Sequence, residues 1–439
     1  MGKIMYKTMH KGNLDIYGQE KSGRMLFAQG MVIDPLNGLH ACRDILVENG
    51  CISEVAETIE EKKGDIVIDC KGLQIWPGLI DMHLHISDLY EIHTNTAYTA
   101  AQDGVTTGLS PGAGNTFMTP ALLGAEMDRG LPINTGVFLG AANVLSSMLT
   151  EEELIQLFCG KLPDAVKEQK MTRNWITNDT AMYTVGIKEH MGHCLLPDEA
   201  IKKAARIAQQ SQMLFMSHTQ DVAHTERILQ LTQGMSVHLG HANAVGCTTY
   251  GDPVDSMKRI VACLKEDRVT GEFVTSMLRK GLGGREGILT DRWARDVALQ
   301  ALSDKVVEIL VSDGQNQSTM KGFGDTRDNI PCILELIEEK VLSPLDAVAT
   351  MTSNPAQLLF ERTGNEDWKR YGNLAKGSYA NITIVDIDDR MASYVITNGR
   401  ITSFENRFLR SSGQAGYWVS KFGTRKNMGV GQLPLYKMN

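Results

Sequence analysis

The chain has 439 residues, 42% hydrophobic and 22% charged, the balance of an ordinary soluble globular protein with room for a large domain and a smaller one beside it. Its formal net charge of −8, with no dense Lys/Arg cluster, argues against a nucleic-acid surface. No uninterrupted apolar run reaches the roughly 18 residues of a membrane span, and Lys3, Lys7, His10 and Lys11 leave no apolar stretch for a signal peptide.

Residues 1–25 are polar and aperiodic, the texture of a loosely docked arm. Strand patterns follow from Met25. Leu26–Ile33 ends in the turn sequence Asp34-Pro35-Leu36-Asn37-Gly38. Ile45–Val47 and Ile52–Val55 flank Asn49-Gly50, a dipeptide favoured in tight hairpins because both turn residues need positive φ. Ile66–Asp69 is a further strand. The eight cysteines include no Cys-x-x-Cys pair, which suits reduced thiols in a cytoplasmic protein.

Pro77-Gly78-Leu79-Ile80-Asp81-Met82-His83-Leu84-His85 is the stretch that carries chemistry. Its apolar residues read as a buried strand, and positions i and i+2 of a strand share a face. His83 and His85 therefore project together from the strand's end, with Asp81 below them, and two adjacent imidazoles make half of a metal site. After His85 the pattern alternates between strands and helices. Candidate strands are Gly104–Leu109, Ile133–Leu139, Tyr183–Lys188, Leu214–His218, Val237–His241, Glu272–Ser276 and Val307–Asp313. With the His83 strand they number eight, the count of a closed parallel barrel. Helical patterns include Asp198–Gln210, Thr225–Gln233 and Asp291–Leu302. Residues 141–180 form a partly helical insertion. Residues 277–287 contain Gly281-Leu282-Gly283-Gly284, a flexible wall or lid without the ending of a phosphate loop. A helix opens at Ser343-Pro344-Leu345-Asp346. Beyond Gly372, strand patterns return at Ile382–Val385 and Tyr394–Thr397, so both chain ends contribute to one small sheet domain. Residues 405–439 read as an irregular arm between subunits of a homo-oligomer.

In such a barrel, reactive groups sit at the C-terminal ends of different strands. The candidate strands end in Lys188, His218, His241 and Asp313, which together with His83 and His85 make enough donors for two adjacent divalent metals. His238 and His241 compete for the sixth strand. Glu189 is an alternative carboxylate beside Lys188 but faces the opposite side by strand alternation. His224 falls in the following helix, and Cys194, close after His190 and His193, reads as part of a loop leading into a helix.

Pro-Gly-Leu-Ile-Asp-x-His-x-His resembles the first-strand signature of the amidohydrolase superfamily, metal-dependent hydrolases built on a (β/α)8 barrel. Val185-Gly186-Ile187-Lys188 is similar to the fourth strand of its hydantoinase/dihydroorotase-like branch, in which CO2 converts the lysine to a carbamate bridging two metals. Val311-Ser312-Asp313-Gly314 resembles the eighth strand, and Asn354-Pro355-Ala356 and Gly377–Ile382 resemble later landmarks. The resemblance favours His241 as the sixth-strand ligand, leaving His238 and Asp81 as supporting or alternative groups. It implies domains at 1–75, 76–365 and 366–439: a barrel between the two halves of a β-sandwich. It also implies two divalent ions, zinc by default with manganese, iron or cobalt as substitutes. The implied reaction is hydrolysis of a C–N bond in a small, cyclic amide or imide by a hydroxide shared between the metals, with Asp313 carrying the proton. Rival readings are a heterocycle deaminase, an N-acyl-D-amino-acid deacylase (Asp103–Gly108 resembles that family), an isoaspartyl-dipeptidase-like enzyme (Ser312-Asp313-Gly314, with Ser318 downstream) and a non-catalytic scaffold. Loops at 141–180, 277–287 and 315–328, with Arg327 as a carboxylate-binding candidate, would set specificity.

Overall fold

The computed structural model describes residues 9–11, 23–88, 91–190, 194–247, 250–281, 284–285, 288–315, 324–405, 407–408 and 415–430. His193, most of the arm at 1–25 and parts of the loops at 277–287 and 315–328 lie outside them.

Eight parallel strands build the larger unit: Leu79–Asp81, Val105–Ser110, Asn134–Gly140, Gly186–Glu189, Leu214–His218, Val237–Gly240, Val269–Val274 and Ile309–Val311. Each pairs with its neighbour in chain order. The first and last meet through a parallel bridge between Leu84 and Gly314, where His85 N donates to Gly314 O at 2.9 Å. The sheet thus curls into the expected barrel. Its strands are buried on both faces, as helix-covered parallel sheets must be. Asn134–Gly140 is buried at every position. Helices supply the outer layer. Asp198–Gln210 falls where its periodicity places it, and Val222–Leu231 and Arg292–Ser303 start beside the capping carboxylates of Asp221 and Asp291. The insertion at 141–180 is four short helices.

The strands differ from the sequence pattern mainly at the seventh, which runs Val269–Val274 rather than Glu272–Ser276. Thr275–Leu278 turns into a short helix instead, with Asn243 Oδ1 accepting from Val274 N at 2.8 Å as the strand ends. The shift moves Glu272 from the start of the strand into its body.

The smaller unit is a mixed sheet made by both chain ends. Arg24–Asp34, Leu39–Glu48, Cys51–Ala56 and Ile66–Asp69 come from one end, Ile382–Asp386, Met391–Thr397 and Arg400–Phe404 from the other. The seam is the antiparallel pairing of Gln74–Pro77 with Ile382–Asp386. Asn49 and Gly50 turn the hairpin with φ of 53° and 78°. Residues 415–430 depart from the expected arm. Trp418–Ser420 sits beside the third barrel strand, with Trp418 fully buried and its indole N–H donating to Tyr183 O at 3.1 Å. Burying so large an aromatic outweighs the freedom of a loose tail.

Candidate metal centre

Five strand ends deliver side chains to one end of the barrel. His83 and His85 follow the first strand, Lys188 lies in the fourth, His218 closes the fifth, His241 follows the sixth and Asp313 the eighth. All six are buried. His85 Nε2 lies 3.0 Å from Asp313 Oδ1, which is 3.5 Å from His83 Nε2. Donor atoms of these three residues fall within 4.8 Å of one another. Lys188 Nζ is 2.9 Å from His83 Nε2. On the other side of His83, its ring centroid is 4.9 Å from that of His241, whose Nε2 faces His218 Nδ1 at 3.0 Å. Imidazole and carboxylate donors converging in this way suit divalent first-row cations, whose ligands lie about 3 Å apart when bonded at about 2 Å.

His241 and Asp313 hold left-handed backbone conformations, with φ of 39° and 52°. Such conformations are uncommon outside glycine and persist where surrounding structure enforces them. Behind Asp313, the Ser312 hydroxyl accepts from Gly314 N at 2.8 Å. Asp81 accepts from His83 N at 3.1 Å and from Ser312 N at 3.2 Å, tying the first strand to the eighth below the imidazoles. Burial pushes its carboxyl up to about 7.

His238 points elsewhere. Its Nδ1 meets Thr270 Oγ1 at 2.9 Å and its Nε2 meets Glu272 Oε2 at 3.1 Å, so it is His241 that adjoins His218. Glu189 accepts from His224 Nε2 at 3.1 Å and from Ser217 Oγ at 3.5 Å, away from Lys188 as alternation requires. Arg327 pairs with Asp325.

Three residues join the site that the sequence reading left out of it. Glu272, fully buried, accepts from His83 Nδ1, from His238 Nε2 and from the His241 backbone N–H at 3.2 Å. Burial opposes its ionisation, but the two histidines outweigh it and hold the carboxylate well below its usual range. Burial and the neighbouring Lys188 lower His83 to about 4, so His83 is a neutral imidazole at pH 7. Gln220 Oε1 accepts from His218 Nε2 at 3.1 Å. The His190 ring packs 4.4 Å from that of His218. His190 lies just two residues past Lys188, beyond the end of the fourth strand at Glu189.

Comparison with known proteins agrees with this architecture. The profile of the Amidohydrolase family matches residues 75–403. The chain is 22% identical to a dihydroorotase of Geobacter metallireducens, over 82% of this chain and 89% of that one, and 24% identical to one of Geobacter sulfurreducens, over 76% and 85%. Among solved structures it resembles a dihydropyrimidinase from Brevibacillus agri (TM-score 0.65, 18% identity, 92% of this chain and 99% of that one). It also resembles a D-hydantoinase from Thermus sp. (TM-score 0.65, 15% identity, 92% and 99%). With the profile spanning most of the chain and the barrel in place, this protein belongs to the amidohydrolase family of hydrolases.

Proposed function

We propose that the protein is a binuclear metal-dependent hydrolase that opens a C–N bond of a small cyclic amide or imide. The observation that carries this reading is the convergence of His83, His85, Lys188, His218, His241 and Asp313 at one buried barrel mouth, with Lys188 Nζ 2.9 Å from His83 Nε2. The names of the relatives and structural neighbours, dihydroorotase, dihydropyrimidinase and hydantoinase, favour a ring amide.

His83, His85 and Asp313 would hold one ion, and His218 and His241 the other, zinc being the default. Bound there, the ions supply Lewis-acid polarisation of a carbonyl and a water acidified towards neutral pH. As a carbamate, Lys188 would supply an anionic donor beside His83. The amine form of Lys188 is the one that reacts with CO2. The nitrogen of the neutral amine would bond the CO2 carbon and release one proton, leaving an anion where the amine stood. Asp313 takes the proton of the attacking water on its carboxylate and returns it to the leaving nitrogen. Its strand-end conformation and its contact with His85 hold the carboxylate in place before substrate arrives.

The test is a screen of dihydroorotate, dihydropyrimidines, hydantoins and N-acyl-D-amino acids on protein reconstituted with zinc or manganese and bicarbonate. Ring opening is expected, with close to two metals per chain and the added mass of one CO2 under non-acidic conditions. Lys188→Ala should lose metal and activity together. A free amine at Lys188 in active, fully metallated protein would overturn the binuclear assignment and favour a mononuclear deaminase.

A further inference from the structure

We propose that Glu272 is a positioning residue that decides which nitrogen of His83 faces the metal site and holds His241 alongside it. The inference rests on reading the barrel mouth as a metal centre. The backbone N–H of His241 can only donate, so Glu272 Oε1 is an accepting oxygen, and the His83 Nδ1 aimed at that same oxygen donates to it as well. Glu272 Oε1 is shared by His83 Nδ1 and the backbone N–H of His241 at 3.2 Å, while Oε2 takes His238 Nε2 at 3.1 Å. His83 therefore carries its proton on Nδ1. Its Nε2 lone pair is left towards Lys188 Nζ at 2.9 Å and the Asp313 carboxylate at 3.5 Å, the direction a metal ligand needs.

The same oxygen holds the amide of His241, the residue kept in a left-handed conformation as the chain leaves the sixth strand. One side chain thus sets the ring direction of a first-strand histidine and the backbone direction of a sixth-strand histidine. His238 becomes intelligible as well. It donates from Nε2 to Glu272 and accepts at Nδ1 from the Thr270 hydroxyl at 2.9 Å, which locks the free side of the carboxylate. A carboxylate behind an imidazole fixes its tautomer and raises its basicity, and losing one commonly weakens metal binding by roughly 10- to 100-fold.

The experiment has two readouts on protein stripped by a chelator. Spectra of isotope-labelled histidine side chains report the His83 tautomer, assigned by the signal that disappears in His83→Gln. Zinc titration against a competing chelator reports affinity. Wild-type His83 is expected to be protonated on Nδ1. Glu272→Ala should lose that preference and bind zinc roughly 10- to 100-fold more weakly, while Glu272→Gln, whose amide oxygen still accepts, should restore most of both. An unchanged tautomer or wild-type zinc affinity in Glu272→Ala overturns the assignment. Should that variant fail to fold, the wild-type spectrum decides: a proton on Nε2 of His83 overturns it. Wild-type protein that binds no zinc would defeat the metal reading, while the spectra still judge Glu272.

Discussion

Gly112 follows the second barrel strand with a φ of +87°, and a Cβ there would stand 3.0 Å from the Cβ of Lys188 and 3.1 Å from that of Phe138. Gly112→Ala therefore meets two separate costs. Forcing a non-glycine residue into the left-handed region costs about 1–2 kcal/mol. Inserting a methyl group into a filled core costs about 1–3 kcal/mol more. The chain supplies its own control, because Gly64 has a φ of +100° and, among the described residues, nothing within 4 Å of its Cβ position. Gly64→Ala incurs only the backbone cost, and both variants share the same loss of freedom in the unfolded chain. In urea unfolding, Gly112→Ala should lose about 2–5 kcal/mol in all and Gly64→Ala about 1–2 kcal/mol. The difference also has a functional reading, because the neighbour that must yield is the stem of Lys188. Metal content and turnover should fall in Gly112→Ala and hold in Gly64→Ala. Equal destabilisation of the two variants, with full metal in both, would refute the claim that Gly112 is kept small by its approach to Lys188.

Asp313→Asn should keep its fold and lose turnover by roughly a hundredfold or more, the usual scale for a proton-transfer group; near-normal turnover on the screened substrate would remove it from the chemistry. Asp103 provides a pH test away from that chemistry. Burial raises its carboxyl to about 7, while Thr326 Oγ1 donates to it at 2.6 Å. The folded chain then holds this proton more tightly than the unfolded one, so this group's contribution to stability is lost as pH rises from about 4 to about 7. Its ceiling is about 4 kcal/mol, and the partial exposure of the residue leaves roughly 1–2 kcal/mol. Asp103→Asn should accordingly raise the urea midpoint most near about pH 8 and least near about pH 4, and a gain independent of pH would contradict the cause given.

His83, His85 and Asp81 were legible because strand alternation acts within a few residues, and Asp313 because an apolar strand leads straight to it. The choice between His238 and His241 was not legible from periodicity, since the chain leaves the strand at Gly240 and His241 turns through a left-handed conformation. Glu272 was hidden by the misplaced seventh strand: Thr275 and Ser276 look compatible with a strand, yet lie in a short helix. Its partners are 189 and 34 residues away, a relation no local pattern carries. The docking of 415–430 was missed for a similar reason, because Trp418 finds its burial against residues of a distant strand.

The seam between Gln74–Pro77 and Ile382–Asp386 has a consequence for how the molecule is made. On the ribosome, the earlier strand emerges about 300 residues before its partner, an interval of roughly 15–60 s at ordinary rates of synthesis. Arg24–Asp34 is available early to pair with one side of it, at Met31 and Val32, but the other side waits for the end of the chain. During that time Gln74–Pro77 is an open strand edge, the kind of template on which neighbouring nascent chains associate. Slower growth and lower temperature should therefore raise the yield of native protein, whereas truncation before Ile382 would leave that edge open permanently.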